Sequence, residues 1–201
     1  QAKLETEDKW VLSRINSLTK EVLHNLEKYE IGLAANALYD FIWFEFCDWY
    51  IELVKNRLYS EDADRKYAAM SSLLYSLDQI LRLLHPFMPF ITEEIYSLLP
   101  NREDLIIVAD YPEYREELNF QEDEKAVAIM VDAITAIRNQ RSELNIANSK
   151  KINIAIFSDR SDIKEIFSQL SYNLESLAAV EEIDILEEDK EMENSITIVM
   201  D

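Results

Sequence analysis

The sequence predicts a mainly α-helical protein, with a helical bundle followed by a small α+β domain. Apolar residues recur at helical spacing through most of the first 100 residues. All four prolines fall in one region, between Pro86 and Pro112, and after it the predicted elements are shorter. Residues 151–157 alternate between apolar and polar side chains, as a strand does. We therefore assign residues 1–118 to the bundle and residues 119–201 to the α+β domain.

Four helices are predicted in the bundle. Their predicted ranges are residues 6–28, 33–58, 60–85 and 92–99. Thr6, Ser60 and Thr92 are the expected N-caps, because hydroxyl side chains accept hydrogen bonds from first-turn amides. The second helix is apolar on almost every face, which predicts a central position. Pro86 and Pro89 stop the third helix before the fourth begins.

The remaining elements are shorter. In the bundle region, the apolar run Leu105–Ala109 predicts a brief strand. In the second domain we expect helices at residues 121–144 and 161–170, a further helical turn or two at 174–179, and strands at 151–157, 183–186 and 196–200.

Composition excludes several classes of protein. With 48% apolar residues the chain can form a core, and a single cysteine excludes a disulfide framework or a multi-cysteine zinc site. The longest apolar region, residues 33–54, is interrupted by four acids and cannot span a membrane. The only glycine, Gly32, rules out a glycine-rich phosphate loop. We expect a cytoplasmic protein.

The net charge of −20 is unfavourable for a general binder of polyanions. The first 100 residues hold ten basic and sixteen acidic side chains, and the remainder hold ten and twenty-four. Residues 136–151 are an exception, since they carry four basic side chains and one acid. Any contact with nucleic acid should therefore use local basic patches. The alternative for most of the acids is ordinary charge that keeps a protein soluble.

Several strings in order along the chain resemble the anticodon-binding region of class I valyl-, isoleucyl- and leucyl-tRNA synthetases. The Phe46-Cys47-Asp48-Trp49-Tyr50 run is typical of the valyl branch. Asp8–Asn16 and Leu83–Tyr96 share this resemblance, and two later strings, Ala136–Asn145 and Ser149–Ile152, resemble the small domain that follows the bundle in valyl enzymes. The resemblance covers nearly the whole chain.

This resemblance implies that the chain binds tRNA(Val) through the anticodon, whose middle adenine and third-position cytosine would be the targets. The His-Ile-Gly-His and Lys-Met-Ser-Lys-Ser signatures of the catalytic domain do not occur in the sequence. We therefore expect a carboxy-terminal piece without cofactors of its own. The parent enzyme would use ATP and Mg²⁺, and its catalytic domain would be the second partner. We expect a monomer that binds neither DNA nor membranes.

Basic and aromatic side chains in these strings are the candidate tRNA contacts. They are Arg14, Lys55, Arg57, Tyr59, Arg138, Arg141, Lys150 and Lys151. Lys55 and Arg57 could hold phosphates while Tyr59, or Tyr50, stacks on a base. For each cation the alternative is a solvated position, which at a helix end also complements the macrodipole.

No residues are assigned to catalysis or to a metal. His24 is expected on a helix surface, His85 at a helix end, and Cys47 packed inside the bundle. Acidic pairs such as Glu93-Glu94 fit first turns of helices better than general acid–base chemistry.

Two alternatives stay open at this stage. One is the same domain from an isoleucyl enzyme, which the Phe46–Tyr50 run disfavours. The other is an acidic helical protein-interaction module that has lost RNA binding.

Overall fold

The computed structural model describes residues 3–100, 104–188 and 195–199. The chain divides into two compact units, Gln1–Glu124 and Lys125–Asp201. Most of the described residues are helical and two strands form one small sheet, which confirms the predicted fold class. None of the helices in these ranges is long and apolar enough to cross a membrane.

The first unit contains the predicted helices. In chain order they are α1 (Thr6–Glu27), α2 (Ile31–Asp40), a π-helical segment (Phe41–Tyr50), α3 (Ile51–Leu58), α4 (Ala63–Leu84) and α5 (Pro89–Ser97), with 3₁₀ turns at Ile106–Val108 and Glu116–Leu118. Helix α1 packs against α2 and α4 through a stripe that includes Val11, Ile15 and Val22. The second predicted helix is therefore one helical run whose middle has π geometry.

Two of the expected N-caps are wrong, because acids one or two residues away take the role. Glu5 precedes α1 and forms a capping box in which its backbone N–H donates to Asp8 Oδ2 at 3.0 Å. Asp62 caps α4, and its Oδ1 accepts from the amides of Asp64 and Arg65 at 3.0 and 3.1 Å. The Ser60 hydroxyl instead accepts from the Asp62 amide.

The third cap is wrong as well, since α5 begins at Pro89 and Thr92 lies inside it. Pro fits the first turn of a helix because that turn leaves amide donors unused. The buried Thr92 hydroxyl donates to the Met88 carbonyl at 2.9 Å and lies 2.8 Å from His85 Nδ1. The helix does stop and restart at the prolines, as predicted, and Thr92 links the two sides of the break.

In the π-helical segment the buried side chains are spaced more widely than in an α-helix. Phe41, Phe46 and Tyr50 are buried, whereas Trp43 and Cys47 are exposed. A π-helix has about 4.4 residues per turn, so residues five apart share a face. The expectations that this region is central on all faces and that Cys47 packs in the bundle are therefore wrong.

The second unit is a small α+β layer. Helix α6 (Gln121–Glu143) leads into β1 (Ile152–Phe157), followed by α7 (Ser161–Gln169), α8 (Ser171–Leu177) and β2 (Val180–Leu186). The strands are parallel, with Ile154 opposite Ile183 and Ile156 opposite Ile185. Parallel strands need a long crossover, which α7 and α8 supply.

Two predicted strands are absent from the described residues. Ile106–Val108 is a 3₁₀ turn, and the Ile106 amide donates to the Glu93 carboxylate instead of to a neighbouring strand. The Ile106 side chain is buried with Leu81 and Tyr96. Residues 195–199 have no regular structure, and Met200, the last residue of that predicted strand, lies outside the described residues.

Candidate functional site

The exposed end of α3 holds two of the predicted contact residues. Tyr59 follows the last residue of the helix and is 82% exposed. Lys55 is exposed one turn earlier, where its ammonium group pairs with Glu52. A surface ion pair of this kind is weak and can be exchanged for another anion. This end can therefore offer one cation and one aromatic ring to a ligand.

Arg57 lies on the opposite side of the same turn and is buried. Its guanidinium lies 2.6 Å from Asp8 Oδ2, 3.5 Å from Glu5 Oε1 and 3.8 Å from Glu7 Oε2. Burial alone would lower the pKa of Arg57, but the hydrogen bond to Asp8 and the surrounding carboxylates raise it. Arg57 is close to Lys55 in the sequence. In the fold, however, it is buried and serves as the counter-ion of these three carboxylates.

Arg14 is also held by carboxylates of its own unit. Its Nε and Nη2 donate to the two oxygens of Glu45 at 2.7 and 2.8 Å, and its Nη1 lies 3.7 Å from Glu124. The hydrogen bond to Glu45 raises the pKa of Arg14, although burial opposes it. Such a bidentate pair fixes the guanidinium between α1 and the π-helical segment. Arg14 thus contributes to bundle packing.

The four basic candidate residues of the second unit differ in their exposure and in their contacts. Arg141 is buried and donates from Nη2 to the carbonyls of Ala147 and Lys150 at 2.7 and 2.6 Å. Arg138 is exposed and donates to the Leu177 carbonyl at 2.8 Å. Lys150 and Lys151 are exposed at the entry to β1. Arg141 therefore shapes the loop that presents the two lysines.

Sequence reasoning missed two side chains at the start of α4. Lys66 and Tyr67 are exposed, Tyr67 by 67%. They follow the short α3–α4 connection that begins at Tyr59. The buried pair Ala68-Ala69 marks the inward face of this turn and could have identified its outward neighbours. Tyr50, the other tyrosine proposed to stack, is fully buried, so that expectation is wrong.

The histidines occupy the expected kinds of position. His24 is exposed in the last turn of α1, and His85 caps the end of α4. Burial raises the pKa of the Cys47 thiol, which does not favour a reactive thiolate. Among the residues that the structure describes, no three His, Cys, Asp or Glu side chains are grouped to hold a metal ion.

Several known proteins are similar in sequence to this chain. The valine–tRNA ligase of Clostridium perfringens is 42% identical over 193 residues, which are 96% of this chain and 22% of that protein. The enzyme of the same name from Bacillus cereus is 45% identical over 166 residues, or 83% of this chain and 18% of that protein. For Lactococcus lactis the identity is 44% over 155 residues, with 77% and 18% covered. The chain thus spans about a fifth of the length of these relatives.

A family match covers the larger part of the chain. Residues 8–156 match the family described as the anticodon-binding domain of tRNA ligase. This range begins two residues into α1, includes α2 to α5 and continues through α6 into β1. The chain therefore belongs to the anticodon-binding domain family of tRNA ligases.

Proposed function

We propose that this chain binds the anticodon arm of tRNA(Val) as the anticodon-recognition part of a valine–tRNA ligase. The family and the names of the relatives support the class of ligand. We assign the contact to the exposed end of α3, because Tyr59 and Lys55 lie one helical turn apart there.

The chemistry of this end suits a single-stranded loop. Unstacked RNA bases are recognised by stacking on aromatic rings, while lysines hold the neighbouring phosphates. Tyr59 offers an exposed ring and Lys55 an exposed ammonium group. Lys66 and Tyr67, at the start of α4, would extend the same surface. Tyr59 is assigned to base stacking and the two lysines to phosphates.

The basic residues of the second unit would make a separate contact with the tRNA backbone. Lys150 and Lys151 are exposed, and Arg141 fixes the loop before them without contacting RNA itself. Phosphate contacts orient a protein on RNA but do not read its sequence. With a net charge of −20, the chain should form few such contacts, and its binding should depend only moderately on salt.

We also propose that the whole enzyme joins valine to its tRNA. Joining valine to tRNA would use ATP and Mg²⁺, and we assign both to a catalytic domain of the same enzyme, in the cytoplasm. We derive no step of that reaction for this chain. Its residues would position the tRNA.

Substitution at the exposed end of α3 tests the proposal. We would measure fluorescence anisotropy of a labelled tRNA(Val) anticodon stem-loop with the wild type, Tyr59→Ala and Lys55→Gln. Loss of stacking on Tyr59 should weaken binding about tenfold or more, since stacking contributes about 1–3 kcal/mol per base. Loss of Lys55 should reduce the slope of log affinity against log salt by about 0.7 to 1.

Phe90→Ala is the matched control, because Phe90 is another exposed aromatic residue, on α5, with 91% of its surface accessible. This variant should bind the stem-loop as the wild type does. If Tyr59→Ala also binds like the wild type, the assignment of the α3 end is wrong.

A further inference from the structure

A second exposed aromatic surface lies on α2 and the π-helical segment. Tyr39, Trp43 and Phe44 are 59, 54 and 52% exposed. The rings of Tyr39 and Trp43 are parallel with centroids 6.4 Å apart, and Phe44 meets Tyr39 edge-on at 6.4 Å. We call these three residues the aromatic face. Neighbouring aromatic rings held in a fixed arrangement are typical of interaction sites.

An acidic cleft runs beside the aromatic face. It lies between α1 and the α2–π-helical run, and its charged lining consists of Arg14, Glu21, Asp40 and Glu45. Arg14 and Glu45 neutralise each other in their bidentate pair. Glu21 and Asp40 leave the cleft with a charge of about −2. Asp40 lies four residues before Phe44 on the same helical run, and residues at that spacing are neighbours on a helix surface, so the cleft borders the aromatic face at Asp40.

The charge of this border decides between possible occupants. RNA would bring phosphates against Glu21 and Asp40, which costs free energy instead of releasing counterions. A second copy of the chain, with its net charge of −20, would also be repelled by this acidic border. An amphipathic helix fits both features, because its apolar stripe can cover the rings while Lys or Arg side chains along one edge enter the cleft.

We propose that the aromatic face and the acidic cleft together dock a cationic amphipathic α-helix of a partner polypeptide. The rings supply the apolar contact area, and Glu21 and Asp40 select a partner with cations on one flank. This surface is distinct from the α3 end assigned to tRNA, so the two proposals can fail independently.

Peptide binding tests the proposal. The probe is a fluorescein-labelled peptide of about five helical turns, with leucines at positions i, i+3, i+4 and i+7 and lysines on the flanks. Its control has the same composition in an order that abolishes the apolar stripe. We expect the full chain to bind the amphipathic peptide at least ten times more tightly than the permuted one, as measured by anisotropy.

Three variants locate the binding. Trp43→Ser should weaken binding of the amphipathic peptide at least tenfold. Phe90→Ser, which replaces the matched exposed aromatic residue, should bind the peptide as tightly as the wild type does. Glu21→Gln combined with Asp40→Asn should retain part of the affinity and lose most of its salt dependence. Circular dichroism checks that each variant keeps its helix content, which we expect because these side chains are exposed or line an open cleft.

Four outcomes would overturn the proposal. They are equal binding of the two peptides, wild-type binding by Trp43→Ser, self-association in sedimentation velocity that Trp43→Ser abolishes, and stem-loop binding that Trp43→Ser abolishes. The third would assign the face to a second copy, and the fourth would assign it to RNA.

Discussion

The guanidinium Nη2 of Arg57 lies 2.6 Å from Oδ2 of Asp8, and both side chains are buried. This contact connects the last turn of α3 to the first turn of α1, two helices far apart in sequence. Glu5 and Glu7 lie within 4.0 Å of the same guanidinium. The end of α3 therefore has an inner side that holds the bundle together and an outer side, with Lys55 and Tyr59, that can meet a ligand.

Replacing Arg57 should destabilise the first unit strongly. Arg57→Met would leave the carboxylate of Asp8 buried without the guanidinium that lies 2.6 Å from it, a change that costs about 3–5 kcal/mol. Urea denaturation followed by circular dichroism measures the free energy of unfolding. Lys55→Met, two residues away and exposed, is the control and should change it by less than about 0.5 kcal/mol. Equal effects of the two substitutions would refute the internal role of Arg57.

The ion pair between Arg65 and Glu5 should make the free energy of unfolding depend on pH in the acidic range. The hydrogen bonds from Arg65, at 2.8 and 3.0 Å, lower the pKa of Glu5 below its ordinary value of 4.5, burial partly opposes them, and the charge of Arg57 adds to them. Because the folded pKa is the lower one, the stabilisation is complete above pH 4.5 and is lost as the pH falls through the folded pKa.

Arg65→Met should therefore raise the pKa of Glu5 and flatten the loss of stability in acid. Carboxyl NMR titration of Glu5 measures the first effect, and denaturation at several pH values measures the second. Lys66→Met, next in sequence and exposed, should leave the Glu5 titration unchanged. An unchanged Glu5 titration in Arg65→Met would contradict the ion pair.

Tyr111 should ionise at a higher pH than a tyrosine of the unfolded chain. Burial raises the pKa of Tyr111 to about 12, and its hydroxyl donates to the Leu83 carbonyl at 3.1 Å. Since the unfolded chain ionises first, near pH 10, the contribution of Tyr111 is present below pH 10 and lost as the pH rises towards 12. Ultraviolet titration of the phenols should show a step near pH 12 that Tyr111→Phe removes, and the buried Tyr50, whose pKa burial raises further, should ionise later.

The same substitution should reduce stability at neutral pH by about 1 kcal/mol, the usual net value of one hydrogen bond. Tyr67→Phe, at an exposed position, serves as the control and should not change stability. Persistence of the step near pH 12 in Tyr111→Phe would contradict its assignment to Tyr111.

Arg141 should matter for the second unit more than its neighbour Arg138 does. Arg141→Met removes the two charge-assisted hydrogen bonds that the buried Arg141 donates to the Ala147 and Lys150 carbonyls, at a cost of about 3 kcal/mol. Hydrogen exchange of the amides in residues 144–151 should speed up accordingly. Arg138→Met, which removes an exposed side chain, should have a clearly smaller effect on the same amides. Similar exchange in the two variants would contradict the role given to Arg141.

Helical periodicity predicted most of the fold. The apolar stripe of α1 follows from the helical period, and the break between α4 and α5 follows from the prolines. Both can therefore be predicted from neighbouring residues in the sequence. The π-helical segment could not be predicted in the same way, because a change from about 3.6 to 4.4 residues per turn moves Cys47 outward while Tyr50 stays inside. Strand prediction failed at Ile106 because an apolar run does not reveal whether a partner strand exists.

The sequence groups three candidate contact residues but does not reveal which of them are exposed. Lys55, Arg57 and Tyr59 stand close together in the sequence, yet only the first and last are exposed. A signal was available, since Arg57 lies three and four residues after the buried Val54 and Leu53 and so shares their face. The carboxylates that make burial possible come from α1 and its cap, and sequence spacing does not reveal such distant partners.

The most direct test of the central claim is binding of the whole chain to two anticodon stem-loops. One has the tRNA(Val) sequence, and the other differs only in the middle adenine of the anticodon. Fluorescence anisotropy at low and moderate salt should show tighter binding to the first loop, by about 1–3 kcal/mol or at least fivefold, with both affinities falling as salt increases. Equal affinity for the two loops, or no binding to either, would contradict the account.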